Sequence, residues 1–289
     1  MSFESIPLSS WAQDRKYFDF EGQKIAYWTA GTGKPLLLIH GYPTAAWDWS
    51  FMWTELAKTR RVIACDMLGF GYSDKPKSGY SIHRQADIQA ALLKHCDVTT
   101  FDALVHDYGV SVGQELLARR NEQSGFEGLE KLCFLNGGLF PEQHRPRGLQ
   151  KLGISPFGWL MGYIVNRPRF GKAFSQIFGE NSKPSVDELD TFWHLMTQNS
   201  GKHRMHTLLH YIKDRQLHGA RWVNALAKSE VPLKIINGGQ DPVSGKHLYE
   251  AVVKRMPHIQ ATLFEDVGHY PQTEAPERVF DEAMKFFDA

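Results

Sequence analysis

Five apolar runs of strand length recur along the chain: PLLLIHGYP (35–43), RVIACDMLGFG (61–71), FDALVHDYG (101–109), LEKLCFLNGG (129–138) and PLKIINGGQD (232–241). Each opens apolar and ends in Gly, Asp or His. The runs are continuous, not alternating, as in strands buried on both faces of a parallel sheet. Between them lie helical patterns such as IHRQADIQAALLK (82–94) and GVSVGQELLARRN (109–121). Strand and helix in alternation predict an α/β fold with a doubly wound sheet. Reactive residues gather at the C-terminal ends of the strands, where such sheets bind ligands.

From about residue 140 the rhythm breaks. SPFGWLMGYIVNRPRFGKAFSQIFGE and the segments after it are amphipathic and rich in aromatics, and the strand pattern returns at Pro232. This predicts a core domain of residues 1–139 and 226–289, with a helical cap of residues 140–225 inserted into it.

Composition narrows the class. The chain has 289 residues, 42% hydrophobic and 22% charged, which excludes a disordered chain or a coiled coil. Its 33 basic and 32 acidic residues leave a net charge of +1, so no nucleic-acid partner is expected. Cys65, Cys96 and Cys133 are too few and too scattered for a disulfide framework or a zinc site. They read as buried thiols in a reducing compartment, taken here as the cytoplasm. The N-terminal residues lack the pattern of a signal peptide. No apolar run approaches the ~20 residues of a transmembrane helix.

The chemistry centres on FDALVHDYGVSVG (101–113). Gly109-Val110-Ser111-Val112-Gly113 matches the G-x-S-x-G elbow of serine hydrolases. That elbow needs a strand running straight into its nucleophile, and here the strand FDALVH delivers Asp107. Ser111 falls one turn into the following helix. Asp107 is therefore the expected nucleophile, against the plainer role of a helix N-cap. The turn His40-Gly41-Tyr42-Pro43 can aim the Tyr42 backbone N–H at the same point, and with the Tyr108 N–H it would form an oxyanion hole. Asp66 to Asp74 read as a structural loop beside the site. Asp241 and His269 each end a core strand, with His269 28 residues after Asp241. The order nucleophile, acid, histidine is that of α/β-hydrolases. Glu142 and Asp266 are less well placed as the acid.

HGYP, DMLGFGYSD, HDYG, the Asp of GGQDPV and the His of GHYPQ together resemble α/β-hydrolases of the epoxide hydrolase and haloalkane dehalogenase group, over roughly residues 15–288. Within it, HDYGVSVGQELL, LNGGLFPEQHRP and RWVNALAKSEVP resemble the mesoderm-specific transcript proteins. The resemblance implies an α/β-hydrolase fold with a mostly parallel sheet, no cofactor or metal, a small apolar organic substrate and water as co-substrate. It also implies a covalent ester on Asp107, hydrolysed by water that His269 activates. Epoxides are the leading class, with Tyr163 and Tyr211 as candidate proton donors, although Val223 stands where the group usually carries a second tyrosine. The dehalogenase pattern of Trp after the nucleophile and Asn after His-Gly is replaced by Tyr108 and Tyr42. His40, Trp47, Tyr163, Tyr211 and Trp222 are the expected pocket residues. Packing is the expected role of most cap aromatics, including Phe157, Trp159, Trp193 and Trp222. Three rival readings are a dehalogenase, an esterase using Ser111, and a ligand-binding protein that kept the pocket without useful turnover.

Overall fold

The continuous apolar runs form the middle of a single sheet. In the computed structural model, which describes residues 3–143 and 148–289, eight strands lie in the order β1-β2-β4-β3-β5-β6-β7-β8. They are β1 (Lys16–Phe20), β2 (Gln23–Ala30), β3 (Lys34–Ile39), β4 (Arg60–Cys65), β5 (Phe101–His106), β6 (Leu129–Leu135), β7 (Leu233–Gly238) and β8 (Gln260–Phe264). From β4 through β8 every neighbouring pair is parallel. All six residues of β5 are buried, as are all six of β7, which is why their sequences carry no period-2 alternation.

The β1–β2 hairpin falls outside the expected pattern. It pairs antiparallel with itself and with β4. Its two-residue turn, Glu21-Gly22, has positive φ at both positions (53° and 78°), a geometry that suits the twist of a hairpin. Only Phe18 is buried in β1, so that strand has little apolar signal to announce it.

Between β6 and β7 the described residues form helices only, from Pro141 to Ala227. The last and longest, Tyr211–Ala227, packs along the helix Tyr108–Asn121 that leaves β5. This insert covers the C-terminal tips of β5, β6 and β7. Cys65, Cys96 and Cys133 are all buried free thiols. No helix among the described residues is long and apolar enough to cross a membrane.

Candidate active site

Asp107 occupies the turn between β5 and the helix Tyr108–Asn121, with φ 48° and ψ −105°. A non-glycine residue held there costs about 1–3 kcal/mol, so its surroundings must impose it. Its N–H donates to the Asn136 carbonyl (3.0 Å), and the next N–H but one, of Gly109, donates to the His40 carbonyl (3.1 Å). Gly109 permits that approach, since a Cβ there would lie 2.5 Å from the Ile39 carbonyl oxygen. The Asp107 side chain makes no N-cap bond to its helix, so the plainer role does not apply. Its Oδ1 accepts the Tyr42 backbone N–H at 2.8 Å, and its Oδ2 lies 3.4 Å from His269 Nε2. Gly41 makes this possible, because a Cβ there would sit 2.7 Å from that of Asp107.

His269 Nδ1 meets Asp241 Oδ2 at 2.7 Å. The Asp241 carboxylate also accepts the Val243 N–H, the Ser244 N–H and hydroxyl, and the Asn136 amide. Asn136 thus holds both the Asp107 backbone and the Asp241 side chain. The alternative acids are elsewhere: Glu142 pairs with Arg255 and Asp266 with Arg278.

Charge follows from this geometry. Burial opposes a charged His269, but Asp241 and Asp107 on its two nitrogens override that and raise its pKa. Burial equally opposes ionisation of Asp107 and of Asp241, and His269 reverses it in both, holding them below the usual carboxylate range. His106 is different. Its Nε2–H donates to the His269 carbonyl (2.8 Å), and burial pulls it down to about 3, so it stays neutral and holds the His269 backbone.

The strand tips and the insert enclose a cavity of about 380 Å³. Its floor is Tyr42, Asp107 and His269, and its walls are mostly apolar insert residues such as Met161, Ile164, Phe170 and Phe174. A larger, more polar depression of about 530 Å³, beside the C-terminus of the helix Tyr108–Asn121, contains none of these groups.

None of the expected pocket residues, His40, Trp47, Tyr163, Tyr211 and Trp222, lines this cavity. His40 is fully buried with both ring nitrogens engaged: Nδ1–H donates to the Gly41 carbonyl and Nε2 accepts the Met67 N–H. Trp47 donates to the Ile6 carbonyl and Trp222 to Glu115, so both belong to the packing. Tyr163 is 72% exposed on the outer face of the insert. Phe157 and Trp159 are also outward, contrary to the expected packing. Tyr211 is buried, with its ring 4.8 Å from that of Tyr108, and its hydroxyl has no hydrogen-bond partner among the described residues. The Tyr42 hydroxyl is buried and unpartnered in the same way. Tyr108 starts the helix at the expected place, although its N–H makes no bond to Asp107 comparable to that of Tyr42.

Ser111 is fully buried, and its Oγ accepts Arg215 Nε at 2.7 Å. Arg215, on the insert helix Tyr211–Ala227, also reaches the Asp107 carbonyl (3.3 Å) and lies over the Tyr211 ring (4.6 Å). Sequence reasoning missed Arg215, Asn136 and His106. The signal for Arg215 was its spacing: Tyr211, Arg215, Gly219 and Trp222 recur on one helical face, and all four are buried.

A family model described as "Alpha/beta hydrolase family" matches residues 36–282. The Mesoderm-specific transcript homolog proteins of Bos taurus and Homo sapiens are each 37% identical over 99% of this chain and 89% of their own length. Among solved structures, the epoxide hydrolase CorEH superposes with a TM-score of 0.79 at 21% identity, covering 95% of this chain and 98% of that one. The DbeA-M1 loop variant of haloalkane dehalogenase from Bradyrhizobium elkanii gives 0.79 at 19% identity, covering 94% and 95%. The two structures are likenesses of fold.

Proposed function

The chain belongs to the alpha/beta hydrolase family of enzymes, and on that footing we propose that it hydrolyses a small apolar epoxide through an ester on Asp107. The observation that carries this reading is the position of the Asp107 carboxylate. One oxygen is fixed by the Tyr42 N–H, while the other faces the cavity beside His269. In the first step Asp107 Oδ2 attacks a ring carbon. The carbon–oxygen bond breaks, and the released oxygen takes a proton from a tyrosine hydroxyl. The buried hydroxyl of Tyr42, a cavity-lining residue, is the first candidate; Tyr211 lies behind the lining and Tyr163 on the surface.

Forming the ester removes one of the two negative charges that hold the His269 proton. The imidazole pKa falls, Nε2 gives its proton to the tyrosinate left by the first step, and the neutral Nε2 becomes a base. It takes a proton from water, and the hydroxide attacks the ester carbonyl, whose oxygen the Tyr42 N–H stabilises. The diol leaves, and Asp107 regains a carboxylate that carries one oxygen from water. Asp241, braced by Asn136 and Ser244, orients His269 throughout.

A halide leaving group has less support. Trp47, an indole N–H donor near the site in sequence, is committed to the Ile6 carbonyl. The serine route also has little, because Ser111 is buried against Arg215.

The test is His269→Gln incubated with aryl epoxides, haloalkanes and esters, followed by intact mass and peptide mapping. The expected result is a stable alkyl adduct on the peptide containing Asp107, with epoxides only. In single turnover of the unaltered enzyme in H₂¹⁸O, the label enters Asp107. Turnover of any substrate with neither adduct nor label would overturn the ester mechanism, and binding without turnover across the panel would favour the ligand-binding role.

A further inference from the structure

The aromatic residues of the insert fall into two sets. Phe170, Phe174, Phe178 and Phe192 point inward and pack on one another and on Tyr270. Phe157, Trp159, Tyr163 and Ile164 face outward, with exposures of 63%, 52%, 72% and 40%. Eight large apolar residues are this exposed among the described residues, and half of them fall within these eight consecutive positions. They form one ridge: the Trp159 and Tyr163 rings meet edge-on at 6.1 Å, and Tyr163 meets His203 at 5.0 Å. A cluster of this kind on a soluble surface marks an interaction site.

The charges supplied by the ridge's own segments are basic. The sequence has no Asp or Glu between Glu142 and Glu180, and none between Asp190 and Asp214. Those two stretches supply the ridge and its flanks. Among the described residues Lys151, Arg169, Lys172, Lys202 and Lys213 make no ion pair, so no carboxylate neutralises them within the fold. A hollow of about 360 Å³ beside Trp159 is walled by Ser155, His206, His210 and Lys213 with no carboxylate. The chain as a whole is nearly neutral at +1, so this basic face is a segregation of charge.

The ridge also adjoins the mouth of the catalytic cavity. Ile164 belongs to both, and Arg169, another cavity residue, donates to the Ile164 carbonyl at 2.9 Å.

We propose that this face docks on an anionic lipid bilayer. Phe157, Trp159 and Tyr163 enter the boundary between headgroups and acyl chains, which favours amphipathic rings. The lysines meet the headgroup phosphates, and the cavity mouth turns toward the lipid, so that an apolar substrate enters from the bilayer. A second copy of the chain is a poor occupant, because a symmetric contact would bring two unneutralised basic faces together. The proposal rests on the hydrolase reading only in taking the substrate to be apolar.

The experiment is flotation of the full chain with vesicles of phosphatidylcholine alone or with 30% (about one lipid in three) phosphatidylglycerol. The expected result is retention on the anionic vesicles in 0.1 M salt (about one Debye length of 10 Å) and release at about 1 M. Lys151→Gln or Lys213→Gln should each weaken partitioning about fivefold, the equivalent of ~1 kcal/mol per cation at an anionic surface. Phe157→Ser with Trp159→Ser should weaken it at least about tenfold, with the melting temperature and the turnover of a water-soluble substrate unchanged. Absence of vesicle retention, equal retention of the double variant, or equal binding to neutral vesicles each overturns the proposal. A single-stranded oligonucleotide bound more tightly than vesicles, and lost in the double variant, would reassign the face to nucleic acid. Vesicle binding is read without turnover, so failure here is distinct from failure of the ester mechanism.

Discussion

The floor and the roof of the cavity treat polar groups in opposite ways. On the floor, Asp107, Asp241 and His269 are each held from several sides. Asp241 accepts bonds from Val243, Ser244, Asn136 and His269. The His269 backbone is pinned by His106 and by the insert's Ile177 carbonyl. Glu274 ties the loop further, accepting the N–H groups of Gly268 and Tyr270 and, from the insert, that of Gly179. On the roof the lining is mainly apolar, and the Tyr211 hydroxyl behind it has no partner. The floor resists change because any displacement breaks several bonds at once. The roof tolerates change better, because apolar contacts are non-directional. On the proposed function, chemistry belongs to the strand tips and selectivity to the insert.

The harshest test of that division removes the floor's central group. Asp107→Ala should lower kcat/KM by about 10⁴-fold or more. Tyr163→Phe, on the outer roof, should leave it within about twofold, as for surface changes away from a site. Comparable losses in the two variants, measured by steady-state kinetics on an epoxide, would erase the distinction.

The tyrosine hydroxyls sharpen it. Tyr42→Phe and Tyr211→Phe should each slow epoxide opening by about 10²–10⁴-fold if both donate, as general-acid help of this kind does. Burial raises the pKa of each, so both carry the proton needed at neutral pH. A loss confined to Tyr42→Phe would move proton donation wholly to the floor.

A pH series separates the two chemical steps. Asp107 sits below the usual carboxylate range, so ester formation should be flat across the neutral range. On the proposed mechanism, ester decay needs neutral His269. Below the imidazole pKa of the ester form, its rate should rise about tenfold per pH unit, measurable by rapid quench. The stability effect has definite signs. The raised His269 pKa stabilises the fold fully below about 6.5, and that contribution is lost as pH rises through the folded value. The lowered Asp107 and Asp241 values stabilise it above about 3.9, a contribution lost as pH falls through the folded values. Parallel pH profiles for the two steps would tie His269 to the first attack as well.

How much of this was legible in the sequence depends on what a residue's signal consists of. The strand FDALVH running into Asp107 was legible, because a fully buried strand leaves an uninterrupted apolar run. Asp241 and His269 were legible from strand ends and chain order. Arg215 was not, because helical spacing says that a residue faces inward but not what its guanidinium will meet. Asn136 was missed for a related reason: its role joins three strand tips that are remote in sequence. Trp159 and Phe157 misled because large aromatics are usually buried, and nothing in their spacing distinguishes a packed face from an exposed one.

Arg215 is where roof and floor join, so it tests whether they act independently. Arg215→Met keeps most of the volume but leaves the Ser111 hydroxyl and the Asp107 carbonyl without that donor. The expected loss is about 1–3 kcal/mol of stability, the usual penalty for stranded buried polar groups, read from chemical denaturation. Activity should fall with it if the guanidinium also holds the Asp107 turn at its strained φ. Unchanged kinetics in a destabilised Arg215→Met protein would confine the residue to packing.

The smallest expected effect is at Ser111, and it discriminates most sharply between chemistries. Ser111→Ala removes one acceptor of Arg215 and leaves the rest of the site in place. The cost should be about 1 kcal/mol, near the mean for one hydrogen bond. Turnover should stay within a few-fold, because Oγ is buried one turn inside the helix and its recorded partner is a guanidinium, not a histidine that could take its proton. A serine nucleophile gives the reverse pattern: normal stability with a loss of about 10⁴-fold or more. Measuring melting and kcat/KM on the same preparation separates the two, since the aspartate route predicts a change mainly in the first and the serine route mainly in the second.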